Sequence, residues 1–335
     1  MRSFATAVFA ILFSFFSLPV QAAGSRFAST DHLMQWINDY RKHPEPMLLP
    51  TAVHAMHKQG LLKNQKKAGL LTGFIAGVLG ANQMKASKLI ARMFPMPAKE
   101  QGTIITAIAY SGLPEWPMLL SKFEKRMPFR KPLINDFIAG KEKTLDELDL
   151  DDSAQVMDAL WGYYAATGYH QPVVRIIGAL PWVNDIRGTD KFSWAKVRAA
   201  FDDEEGQDAV RKITAGHMAK WTLTANAERD RGLIELYKME LKYQPPEVVE
   251  PLKEVIAAAE SFDSDRVREQ AKLAIDKIKA KNPGDTEWTR STYAGSVAIA
   301  TGCVVASVTI PGVAAPCVIG GALYSGAVKL WATAR

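Results

Sequence analysis

The sequence predicts an all-α protein: an irregular, solenoid-like array of helix–turn–helix pairs that ends in a C-terminal apolar helical hairpin. Three observations lead there. Apolar residues recur at helical spacing along most of the chain, and strand alternation is scarce. Proline and glycine punctuate the periodic stretches and leave short connections, as between antiparallel helix neighbours. From 291 to 328 there is no charged side chain, in a protein that is 23% charged overall.

Residues 1–23 read as a signal peptide. Arg2 and the terminal amine make a positive start, 5–18 is an apolar run, and Pro19 breaks it. Val20, Gln21, Ala22 and Ala23 then offer the small residues that a signal peptidase reads, so cleavage is expected after Ala22 or Ala23. No cysteine stands at the cut. The pattern is of bacterial type, and the expected destination is the periplasm or the cell envelope.

The first helical array is expected over 24–143. Leu33, Met34, Trp36, Ile37 and Tyr40 put a helix over 31–42, with Thr30 or Asp31 as its cap and Pro44 and Pro46 as its stop. A helix over 50–58 starts on a proline. An apolar, glycine-rich helix follows over 65–80, then one over 85–94 that ends before Pro95. Helices over 98–110 and 116–126 flank Gly112, Leu113 and Pro114, and a short one covers 131–139. Residues 144–152 (TLDELDLDD) form an acidic linker. It lacks the glycine and the closing glutamate of a calcium loop, so Asp151, Asp152 and Ser153 read as helix caps.

The second array is expected over 153–284. Its helices fall at 154–167, 171–180, 192–201, 204–224, 228–243, 247–261 and 264–281, and Asn282, Pro283 and Gly284 end the last sharply. A loose internal echo runs through both arrays. FIAGVLG ending at Gly80 leads to KLIARMFP ending at Pro95. AIAYSG ending at Gly112 leads to LLSKF ending at Phe123. YAATG ending at Gly168 leads to VRIIGALP ending at Pro181. Each is an apolar helix end, a glycine, a turn and a second amphipathic helix. This pattern resembles the helix–turn–helix units of tetratricopeptide-like repeats, although the glycines are spaced irregularly. The resemblance implies paired helices that stack and present a protein-binding groove.

The search for chemistry returns little. His54 and His57 share a helix face, but no HExxH accompanies them and no third ligand is evident, so they read as ordinary helix histidines. Ser193, Trp194, Ala195 and Lys196 fit S-x-x-K by letter without the sheet that motif needs. No phosphate-binding loop and no nucleophile elbow occur. Glu115, Glu142 and Glu228 are candidate acids for a polymer-cleaving enzyme. The tryptophans Trp116, Trp161, Trp182, Trp194 and Trp221 read as core at helix crossings, or else as groove lining. No catalytic, metal or cofactor site is assigned. The net charge of +6 is mild. Its short clusters, at Lys63/Lys66/Lys67, Lys122/Lys125/Arg126/Arg130/Lys131 and Lys277/Lys279/Lys281, read as solvated helix faces, and nucleic acid is not expected.

The segment 285–335 is the predicted hairpin. Ala294, Ala298, Gly302 and Ala306 fall four apart, as do Gly321 and Ser325, making ridges on which two helices pack closely. Cys303 and Cys317 lie symmetrically about Ile310, where Pro311 and Gly312 favour a turn, and an oxidising compartment would join them in a disulfide. The function expected is that of a non-catalytic, exported interaction scaffold. It would dock to a membrane surface or a protein partner through 291–328, with a homo-oligomer as one form of partner. The alternatives are an enzyme acting on envelope polymer with a Glu or Asp general acid, and a membrane-active effector.

Overall fold

The computed structural model describes residues 26–64, 68–182 and 204–260, without the side chains of 204–210, 213 and 214. These residues form twelve α-helices, three short 3-10 turns and no strand. The expected signal peptide, the helices expected at 192–201 and 264–281, the expected Cys303–Cys317 disulfide, the expected hairpin residues from Ala294 to Ser325 and the whole expected docking stretch 291–328 lie outside the described residues. Among the described residues, no helix is long and apolar enough to cross a membrane.

By packing, the chain divides into two compact units. Of the described residues, those up to Leu148 belong to the first together with Asp158–Gly168, and Asp149–Met157 with those from Tyr169 to Glu260 belong to the second.

In the first unit, α1 (Thr30–Asp39) is capped by Ser29, whose Oγ accepts from His32 N at 3.2 Å. The expected caps, Thr30 and Asp31, lie inside the helix, because Ser29 is the residue left in extended backbone. Beyond Asp39 the chain closes into a turn, with His43 N donating to Asp39 and Tyr40 carbonyls. Phe27, Trp36, Tyr40 and Phe74 meet edge to face with ring centroids 5.1 to 5.3 Å apart. Each such contact adds about 0.5–1.5 kcal/mol beyond area burial. This knot ties α1 to α3 (Gly69–Gly80). Between them runs α2 (Leu49–Lys58), with Pro50 in its first turn, where a missing N–H costs nothing.

Helix α3 has no polar face, and all but two of its twelve residues are buried. A helix apolar all round must be enclosed by others. It packs on α4 (Gln83–Arg92) and α5 (Ala98–Ala109). Its glycines admit a third neighbour, α8 (Ala154–Thr167), at backbone distance. A Cβ on Gly73 would collide with the Ala159 backbone, and one on Gly162 of α8 would strike Leu70 O and Phe74 N. A Cβ on Gly77 would lie 2.7 Å from that of Ala166. Gly80 sits in the same way against Ser111 O. Glycine inside a helix costs about 1 kcal/mol relative to alanine, and here close approach explains the choice.

Helix α6 (Trp116–Phe123) stops short of the expected residue 126. Two 3-10 turns, Glu124–Arg126 and Pro128–Arg130, lead into α7 (Lys131–Ile138), which packs on α5 and α6. In the second unit, α9 (Gln171–Ile177) packs on α10 (Glu204–Arg229), which packs on α11 (Gly232–Glu240) and α12 (Pro246–Glu260). Helix α10 runs past the stop expected at 224. Thr224 Oγ1 donates to Lys220 O at 2.9 Å and Asn226 Nδ2 to Thr222 O at 2.8 Å. These residues, commonly breakers, satisfy themselves on carbonyls four residues back and let the helix continue.

A contrast between two glycines tests the crossing of α3 and α8. Gly73→Ala should lower the urea unfolding free energy by about 3 kcal/mol or more, since only separation of the helices admits the methyl. Gly140 has a φ of 69° and nothing within 4 Å of its would-be Cβ. Gly140→Ala should therefore cost only the left-handed backbone strain, about 1 kcal/mol.

Candidate functional site

The site with the most developed geometry is the outer face formed by α4, α6 and the turns after α6. Three hydrogen bonds bridge the two helices like rungs. Gln83 Nε2 donates to Glu115 Oε2 at 2.9 Å, Lys122 Nζ to Ser87 Oγ at 2.8 Å, and an Arg126 guanidinium N–H to Ala91 O at 2.9 Å. Residues 83, 87 and 91 stand one turn apart, and their partners ascend in the same direction, so α4 and α6 lie side by side and parallel. Arg130 continues the series, donating to Ala98 O at 2.8 Å and Lys99 O at 3.3 Å. Phe94 and Phe123 stack beneath, 6.3 Å apart, and the Arg126 guanidinium lies over both rings.

This arrangement gathers charge that the sequence scatters. Residues 83–99 contribute Lys85, Lys88, Arg92 and Lys99 with no carboxylate, and 115–131 contribute five cations against Glu115 and Glu124. The two stretches hold nine cationic side chains and two carboxylates, an excess larger than the +6 of the whole chain. Apolar side chains stand out among them: Met84 is 98% exposed, Phe129 82% and Met118 69%. They are three of the four most exposed large hydrophobics among the described residues. The cluster expected at Lys122, Lys125, Arg126, Arg130 and Lys131 is thus half of a larger face. Sequence reading missed the other half because α4 is distant in sequence and its cations are spaced singly.

No family model matches the chain, and no curated protein or solved structure matches it either. The chemistry has to be read from the residues.

The histidine pair does not act as a unit. His54 Nε2 donates to Arg92 O at 3.1 Å, whereas His57 Nδ1 lies 2.8 Å from Oε2 of Glu100. The Glu100 side chain is 4% exposed and that of His57 37%. The carboxylate accepts, so Nδ1 carries the proton of that bond. Glu100 also stands in the first turn of α5, where the helix dipole favours an anion. Nothing in the sequence signalled this pair, because its members are 43 residues apart.

The three candidate acids go to different places. Glu115 holds the first rung, Glu142 lies near Tyr110, and Glu228 is on α10 of the second unit. Burial, with Glu142 as a second cause, pushes the Tyr110 phenol up to about 12. Tyr110, Trp116 and Asp146 line a cleft of about 250 Å³ in the first unit. In the acidic linker, Glu147 takes two hydrogen bonds from Thr144, from N and from Oγ1, both 2.8 Å. These bonds hold its carboxyl below the usual range. Asp152 turns back to accept from Asp149 N at 3.0 Å, closing a turn of the linker itself. Among the described residues no three His, Cys, Asp or Glu side chains group as a metal site would require. Of the tryptophans, Trp161 is buried in the core, Trp116, Trp182 and Trp221 are half-buried, and Trp194 lies outside the described residues.

In the second unit, Lys220 is buried on α10 and pairs with Glu254 of α12 at 2.6 Å. One turn earlier, the Nε2 of His217 is buried without a hydrogen-bond partner among the described residues. Desolvation first, and the Lys220 charge second, lower His217 from 6.5 to about 4. Between those values the folded state holds fewer protons than the unfolded chain. Its contribution to stability is therefore complete above about pH 6.5 and is lost as pH falls towards 4.

Two measurements follow. Between pH 7 and 4, wild type should lose up to about 3 kcal/mol more unfolding free energy than His217→Leu, the difference being the imidazole alone. His57→Ala should destabilise the fold by about 2 kcal/mol by stranding a buried carboxylate, and His57→Gln, which can still donate, should restore part of that.

Proposed function

We propose that this chain is an exported, non-catalytic helical scaffold of the cell envelope, docking to a membrane or a protein partner through 291–328. In this reading its helix pairs stack as an irregular, solenoid-like array of the tetratricopeptide kind. The observation that supports it is the spacing of the outer helices. α2, α4 and α6 begin at Leu49, Gln83 and Trp116, 34 and 33 residues apart. α2 packs on α4, the rungs join α4 to α6, and α3 packs on α5 in the other layer. Successive hairpins placed beside one another in this way are how helical repeats build extended binding surfaces. The glycine crossing adds a qualification: α8 already lies on α3, so binding falls to the outer layer.

A second reading, an enzyme acting on envelope polymer, draws on the His57–Glu100 pair. A buried carboxylate that orients a half-exposed imidazole is a device for moving a proton. Release of muropeptides by the purified protein, lost in Glu100→Gln, would favour it.

Fractionation of cells expressing the full chain and a version ending at Lys281 tests the scaffold reading. After a high-salt wash that strips surface-charge attachment, the full chain should still sediment with membranes or in a larger complex, and the shorter one should be soluble and monomeric. If both remain soluble and monomeric, docking through 291–328 is ruled out.

A further inference from the structure

We infer that the outer face of α4 and α6 is a peripheral docking site for an anionic bilayer surface. The inference deepens the scaffold reading by assigning a partner to a second part of the chain. It rests on two properties of one face. The first is uncompensated charge. Lys85, Lys88 and Lys125 are exposed and make no ion pair among the described residues, while Glu124, one of the two carboxylates nearby, is taken by Lys131 at 2.8 Å. Cations at a membrane surface are attracted to anionic headgroups within a Debye length.

The second property is the placement of Met84, Met118 and Phe129. Flexible thioethers and a phenyl ring, held almost fully in water among lysines and arginines, match the boundary between headgroups and acyl chains. That layer accepts apolar side chains and anionic contacts together. A nucleic acid or an acidic polymer would use the lysines and gain little from the two methionines. The rungs join α4 to α6, and on each helix an exposed methionine stands four residues from an exposed lysine, Met84 from Lys88 and Met118 from Lys122, so apolar and cationic side chains share one stripe of each helix.

The test uses the full chain, with co-sedimentation on phosphatidylglycerol and phosphatidylcholine vesicles. Wild type should prefer the anionic vesicles, with a preference that falls as salt rises. Lys85→Glu/Lys88→Glu/Lys125→Glu should reduce partitioning to anionic vesicles about a hundredfold. Met84→Ser/Met118→Ser/Phe129→Ser should reduce it about tenfold or more with every charge kept. All six side chains are exposed, and unchanged thermal midpoints check that the variants fold. Should the charge reversals lower the midpoint, glutamines at the same positions replace them. Equal binding of wild type and both variants overturns the inference. So does loss in the lysine variant alone, which assigns the face to a polyanion. Binding to neutral vesicles reads 291–328 by itself. Its absence counts against the anchoring reading and leaves this one standing, whereas loss of the anionic preference does the reverse.

Discussion

The first unit is organised around the backbone contact between α3 and α8. Gly73 and Gly162 occupy reciprocal positions, each against the other helix's main chain. Helices with ordinary side chains at the contact stay 8–10 Å apart, whereas at these two glycines there is no room for even a Cβ. The burial of α3 depends on that approach. Ten of its residues are out of water, with α4, α5 and the aromatic knot of Trp36, Tyr40 and Phe74 taking the sides that α8 leaves. A methyl at Gly73 would change the spacing of the layer on which α5 and then α6 are built, because packed interiors transmit strain.

The outer layer inherits its geometry from this core. α4 and α5 both pack on α3, and α6 packs on α5, so the distance between α4 and α6 is set from beneath. The rungs at Gln83, Ser87 and Ala91 report that distance. Two of the three use a cation, Lys122 or Arg126, as the donor. A charged donor to a neutral oxygen brings no opposing charge with it, so positive charge accumulates where the helices are pinned. The charge of this face is in part a consequence of how its helices are spaced.

Much of the fold of the described residues was legible in the sequence. Pro50, Pro95 and Pro97 bracket helices as proline chemistry requires, and α8 occupies the span that its apolar period marks. The ends were read less well, and for local reasons. Ser29 took the cap from its neighbours, and Thr224 and Asn226 bonded backwards and let α10 run on. The glycine echo was only partly informative. Gly80 ends α3 and Gly112 follows α5, which lies beside it, whereas Gly168 closes α8, which packs across α3 instead of extending the row. One local pattern serves two tertiary roles, and period alone does not separate them. The basic face and the His57–Glu100 pair were illegible because each joins residues about 30 to 45 positions apart with no motif between them.

The cations of the outer face divide into two kinds, and the division bears on what the face can do. Arg126 is committed to Ala91 O and to the stacked rings of Phe94 and Phe123, and Arg130 to the first carbonyls of α5. Their charge is a by-product of holding helices. Lys85, Lys88 and Lys125 hold nothing among the described residues, and exposed lysines packed among like charges repel one another at moderate ionic strength. A structure that needed only the rungs would be more stable with neutral residues at those three positions. Their presence beside Met84 and Met118, which also lose by facing water, puts two unrelated costs on one surface. A single partner that is both anionic and apolar relieves both.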